Sequence, residues 1–240
     1  MSTTIKQGSA GSTIAPTRAA TTKSPAPTEP RPVQAGDRLG LSTQVGQLEQ
    51  LKAQLASPIP PLPSVPPSQD WQTRDLACRQ ALIQTLLQDE AVMKGLRSWP
   101  RLPQDLRMLL GERIATIQGG IYGFHPRPLG LEQGPYRGGF QAGSNQPITF
   151  GPKSMVSAAE FLNTLVHEQT HAMQWEKGDA ASRKKLDPAD PYAAIATTWF
   201  DNFFDYTPPS KGVRAYRAQP VEQHAYATGD AVAEAVLRKP

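Results

Sequence analysis

All seven Phe, four Trp and six Tyr of this 240-residue chain lie at or after Trp71, while eleven of its 24 prolines lie before it. A stretch with no aromatic side chain and that much proline cannot bury enough apolar surface to offset the entropy of ordering it. The fold is therefore expected in residues 70–240, with residues 1–69 as a disordered tail rich in Pro, Ser and Thr and a Pro-rich linker. Roughly 170 residues are enough for one enzyme-sized core. Within the tail, Val45, Leu48, Leu51 and Leu55 recur at helical spacing and predict a short amphipathic helix over 43–56. The run from Pro58 to Pro67 forbids helix and reads as an extended spacer.

Composition removes several classes of function. The 25 Lys and Arg exceed the 21 Asp and Glu by only four and form no stripe, so nucleic acid is not expected as a partner. The single cysteine, Cys78, excludes an intrachain disulfide and a Cys-based zinc cluster. No run of about 18 apolar residues exists, so no membrane span is expected. Residues 1–36 also lack the apolar stretch of a secretory signal. They are Ser/Thr-rich and nearly free of acids. That suits either a solvated extension of a cytoplasmic protein or an export tail of the kind bacterial effectors carry, and the compartment stays open.

Past Trp71 the periodicity is mostly helical. Ser68 is placed to cap a helix over Trp71–Leu96 with Leu76, Ile83 and Leu87 inward. Pro103 opens a second helix, faced by Leu106, Leu110, Ile114 and Ile117 and stopped at Gly119-Gly120. Residues 121–125 read as a short strand, Gly130–Gly143 as a long loop or loose hairpin, and Ile148–Phe150 as an edge strand. Ser157 and Glu160 form a capping-box signature for a helix ending at Gly178. Further helices are expected over 191–206, buried through Ile195, Trp199 and Phe203, and over 220–237, buried through Val221, Ala225, Val232 and Val236. The fold class is α+β, mostly helical, with a small edge-type sheet.

The capped helix carries His167-Glu168-Gln169-Thr170-His171. Positions i and i+4 of a helix share a face about 5–6 Å apart, so both imidazoles can reach one ion. Glu168, one residue round, stands where a base must stand to take a proton from an ion-activated water. A strand just before such a helix can hold an extended peptide.

The segment Thr164-Leu-Val-His-Glu-Gln-Thr-His-Ala-Met-Gln-Trp175 resembles the active-site helix of zincin metallopeptidases. The resemblance implies a zincin-like core, one Zn2+ held by His167 and His171, and Glu168 as general base. The metzincin extension is missing, since Gln174 and Lys177 stand where it requires Gly and His. The gluzincin branch takes its third ligand from a later helix. Tyr216-Arg-Ala-Gln-Pro-Val-Glu222-Gln-His-Ala-Tyr226 is similar to the segment that supplies it in small bacterial and phage zincins, which implies Glu222.

Rivals for that position are His224, about 200° round the helix from Glu222, and Asp201 or Asp205, which alternatively bond a ligand histidine from behind. Tyr226 occupies the place where gluzincins often carry a supporting Asp. Tyr216 is the first candidate to stabilise an oxyanion, ahead of Tyr226 and Arg217, and His125 reads as a loop residue. The implied activity is zinc-dependent hydrolysis of amide bonds in protein or in cell-wall peptides. The competing expectation is a non-enzymatic interaction protein, with a structural metal site and a partner-binding tail.

Overall fold

The computed structural model describes residues 3–6, 35–68, 70–134 and 138–238. Its first half runs β1 (Thr3–Lys6), α1 (Ala35–Ala56), α2 (Trp71–Gln88), α3 (Glu90–Arg97), α4 (Gln104–Tyr122) and β2 (Leu129–Leu131). Its second half runs β3 (Gly138–Ala142), β4 (Ile148–Phe150), α5 (Ala158–Ser182), α6 (Ala193–Phe204), α7 (Val213–Arg217) and α8 (Pro220–Leu237). The described residues are mostly helical with one small sheet, as the periodicity predicts. Of the disordered tail and linker expected over 1–69, residues 1, 2, 7–34 and 69 lie outside the described residues, while Thr3–Lys6 form β1 rather than disordered chain.

Helix α5 is the hub, packed against α8, α6, α4 and β3. The Ser157 hydroxyl caps it, accepting the Glu160 N–H at 3.1 Å. Phe161, Leu162, Leu165, Val166, Ala172 and Met173 are buried as predicted, and so is nearly every polar side chain from Thr164 to Gln174. A helix buried on all faces normally carries only apolar residues. Burying this many polar groups costs roughly 1–3 kcal/mol for each one left without a partner. Much of the interior therefore hydrogen-bonds them. Gln118 donates to the Val166 carbonyl and Thr170, and Gln169 exchanges two bonds with the Arg127 backbone.

Several expected boundaries shift. The single helix over Trp71–Leu96 is two, broken at Asp89, whose carboxylate caps α3 and pairs with Arg113 at 2.8 Å. Asp70 rather than Ser68 caps α2, accepting from Gln72 and Thr73. The inward stripe is Asp75, Cys78, Leu82 and Leu86, while Leu76 and Leu87 are exposed. Residues 121–125 are no strand, because α4 continues through Gly119 and Gly120 to a left-handed stop at Gly123 (φ +70°). Those two glycines admit close neighbours instead; a Cβ on Gly119 would lie 2.7 Å from Pro126. Likewise α5 passes Gly178, where a Cβ would sit 2.9 Å from the Phe200 Cβ, and ends at Ser182.

Gly130–Gly143 supplies β2 and β3 rather than a plain loop. The sheet order is β1-β3-β4-β2, so Ile148–Phe150 is an inner strand, antiparallel to β3 and parallel to β2, and not an edge. The helix expected at 43–56 begins at Ala35 and docks through the buried Leu51 and Leu55. The segment after it lies on the core instead of spacing it away. Arg74 donates to the Val65 and Pro66 carbonyls, and Leu62 meets Gly120. No helix among the described residues is long and apolar enough to cross a membrane.

Candidate metal centre

One helical turn on α5 sets His167 and His171 edge to face, with their Nε2 atoms 3.0 Å apart. Glu222 enters from the first turn of α8, which Pro220 starts and Gln219 anchors through bonds to Thr207 and the Tyr216 carbonyl. Its carboxylate straddles the pair, Oε2 lying 3.4 Å from His167 Nε2 and Oε1 3.3 Å from His171 Nε2. Two glycines let the flanking elements come this close to α5. A Cβ on Gly229 of α8 would lie 2.9 Å from the Asn163 carbonyl and 3.4 Å from the His167 Cβ. A Cβ on Gly138 of β3 would lie 3.5 Å from the Glu168 Cγ and closer still to Thr164.

The donor set fits a divalent transition metal. Tetrahedral zinc, with bonds of about 2.0–2.1 Å, separates its ligands by roughly 3.3–3.4 Å, close to the three distances above. All three side chains are essentially inaccessible, and the described residues offer His167, His171 and Glu222 as a group able to hold an ion. Glu222 Oε2 has no hydrogen-bond partner there, an orphan that a cation would satisfy. Burial alone would push the Glu222 carboxyl up, but the two imidazoles outweigh it and hold it well below the usual range. Burial opposes charge on His171 as well, yet Glu222 prevails and raises that ring to about 9.

A chain of hydrogen bonds fixes how His171 presents itself. The Asp75 carboxylate accepts His224 Nε2–H at 2.8 Å and pairs with Arg79 at 2.6 Å. Although burial disfavours its charge, these partners keep its pKa lowered. The other His224 nitrogen therefore accepts from Gln174 Nε2 at 3.0 Å, and the same amide donates to the Val221 carbonyl at 3.0 Å. Gln174 Oε1 is left to accept the His171 Nδ1–H at 2.8 Å. His171 thus aims Nε2 at Glu222 and His167, and that nitrogen is the one free to take a metal once its proton leaves. On the other side, the Tyr206 hydroxyl donates to Glu222 Oε1 at 2.7 Å.

Glu168 is buried beside the triad, and its Oε2 has no partner among the described residues. Burial raises its pKa, with the two imidazoles pulling the other way. The Tyr216 ring is buried and its hydroxyl is likewise unpartnered. Burial, and then the nearby Glu222 carboxylate, push that phenol far above its ordinary value, so it stays a donor at any working pH. The half-buried Tyr226 lays its ring 4.5 Å from His167 and carries the Arg217 guanidinium 4.4 Å above it. Phe140 and Phe203 close the His171 side at 6.4 and 6.1 Å.

Of the candidates read from sequence, His167, Glu168, His171, Tyr216 and Glu222 come together. His224 faces away from the triad, stacked on Trp199 at 5.1 Å, as its position round α8 requires. Asp201 and Asp205 are exposed and bond neither histidine, so the support expected from them comes from Gln174. His125 sits on the surface against Glu176. Gln174, Tyr206 and Asp75 were not legible as site residues. Gln174 carried a signal, being polar one turn past His171 on the same buried face, whereas Asp75 lies a hundred residues away with none. No family model, curated protein or solved structure matches the chain.

Proposed function

We propose that this chain is a zinc-dependent peptidase of the zincin type, gluzincin-like in taking its third ligand from α8. The observation that carries the reading is the buried His167–His171–Glu222 triangle with the buried Glu168 carboxylate beside it, one of whose oxygens has no partner. A zinc ion bound there would supply Lewis acidity and lower the pKa of a water toward neutrality.

The protein's own groups supply the rest. Glu168, its affinity for protons raised by burial, takes the proton from the attacking water and returns it to the leaving amine. The buried Tyr216 hydroxyl, kept protonated by burial and by Glu222, suits the negative charge that grows on the attacked carbonyl oxygen. The backbone of β3 passes Glu168 at Gly138 and suits an extended substrate strand in protein or cell-wall peptide. That role moves from Ile148–Phe150, enclosed between β3 and β2, to β3, whose outer side β1 occupies in this structure.

A structural metal site in a non-enzymatic protein is the competing reading, and the full burial of the three ligands favours it. Structural zinc sites, however, are closed by four protein ligands, whereas the described residues offer three here. Metal analysis joined to a peptide-cleavage assay separates the two. The full chain should bind one zinc and cleave, losing cleavage to a chelator and regaining it with zinc. Glu168→Gln should keep the zinc and lose roughly 10²–10⁴ in rate. A zinc-loaded wild type that cleaves nothing across a peptide library would refute the enzyme, and zinc lost from Glu168→Gln would refute the base.

A further inference from the structure

Strand β1 occupies the outer side of β3. Thr3 pairs with Ala142, Thr4 with Gln141, Ile5 with Phe140 and Lys6 with Gly139, all antiparallel. In the order β1-β3-β4-β2, β3 would be the terminal strand without β1. This is also the strand nearest the metal group. Gly138 abuts Glu168, and the Phe140 ring lies 6.4 Å from that of His171. Lys6 stands opposite Gly139, one residue from the contact with Glu168. The β-branched run Thr3-Thr4-Ile5 suits a strand.

A bare strand edge accepts any extended chain through main-chain hydrogen bonds, with little regard to sequence. The same backbone groups of β3 cannot bond two strands on one side. We infer that residues Thr3–Lys6 are an internal competitor, holding the β3 edge so that an extended peptide docks beside Glu168 only after β1 has left. The inference rests on the peptidase reading for the identity of the incoming chain. A tethered segment competes at an effective concentration of order millimolar. Removing it tightens peptide binding by the ratio of that concentration to the segment's own dissociation constant, about tenfold where the constant is about a tenth of it.

The test uses zinc-loaded full chain and a fluorescent peptide with the sequence of residues 1–8. Affinity is measured in a Glu168→Gln background that prevents turnover, and cleavage with Glu168 intact. Thr4→Pro with Ile5→Pro removes two strand N–H groups. Thr4→Cys with Gln141→Cys joins directly paired residues, whose Cα spacing of about 4.5–5.5 Å suits a disulfide. The proline pair should bind the peptide about tenfold tighter than wild type, with zinc content unchanged. The oxidised cysteine pair should bind it at least about tenfold more weakly and recover on reduction.

Equal affinities in wild type, the proline pair and both redox forms, with zinc retained, would overturn the inference. If the proline pair fails to fold, the reversible cysteine pair decides alone. Affinities that shift as stated while no form cleaves any peptide would remove the peptidase reading and leave the competitor standing. Equal cleavage by every form would do the reverse.

Discussion

Gln174 offers a perturbation whose two consequences separate. Its Oε1 accepts from His171 at 2.8 Å, while its Nε2 donates to the Val221 carbonyl and to His224, each at 3.0 Å. Gln174→Leu removes all three bonds among buried groups, at a cost of about 1–1.5 kcal/mol per bond. The total, roughly 3–4 kcal/mol, lowers the melting temperature by about 6–16 °C in a domain of this size. It also frees the His171 ring to take the other tautomer, which weakens zinc binding by about 10–100-fold, the usual loss for a partner behind a ligand histidine.

Gln174→Glu keeps the acceptor facing His171 and loses only the donors. It should therefore lose stability while binding zinc within about threefold of wild type, since the histidine partner is intact. Competition against a chromophoric chelator gives the affinities, and thermal unfolding of the metal-free proteins gives the stabilities. Wild-type zinc affinity in Gln174→Leu, or equal weakening in both variants, would refute the argument that this amide orients His171.

Other consequences follow from the same geometry. With His171 held at about 9 in the metal-free protein, its proton must leave when metal binds. Zinc affinity should rise by about tenfold per pH unit through the range below that point and then level above it, as calorimetry in buffers of different ionisation enthalpy would report. The raised value, with Glu222 held below the usual carboxylate range, also means that the His171–Glu222 pair stabilises the metal-free fold fully between about 4.5 and about 6.5 and loses that contribution as pH rises through about 9. Melting curves over that window should fall with pH, and a rise would contradict the pairing. Gly229→Val places side-chain atoms where the Asn163 carbonyl and His167 already stand. It should push α8 and Glu222 outward and abolish stoichiometric zinc in a metal analysis, with helical circular dichroism retained. Arg113→Leu leaves Asp89 charged and buried, so equilibrium unfolding should show a loss of roughly 3–5 kcal/mol.

The motif helix was legible because each local signal agreed, with a capping serine, helical period and two histidines one turn apart. Glu222 was legible through the likeness of its segment to the gluzincin one, with Pro220 fixing where α8 begins and so placing Glu222 in its first turn. The glycines misled. Gly119, Gly120 and Gly178 read as stops, but each makes room for a neighbour that only the tertiary structure brings up. Stripe assignment failed in α2 because Leu76 and Leu87 share helical spacing with the buried set but sit one residue round from it. Asp75 was beyond reach of any window, as its role arises from pairing with His224 across 149 positions of chain.

X-ray absorption at the zinc edge of the stoichiometrically loaded full chain, paired with its Glu222→Ala variant, reaches the central claim most directly. The account predicts two imidazole nitrogens and light oxygen donors at about 2.0–2.1 Å, with one oxygen donor and most of the affinity lost in the variant. A loaded chain whose zinc shows no imidazole scattering, or an unchanged spectrum and affinity in Glu222→Ala, would contradict it.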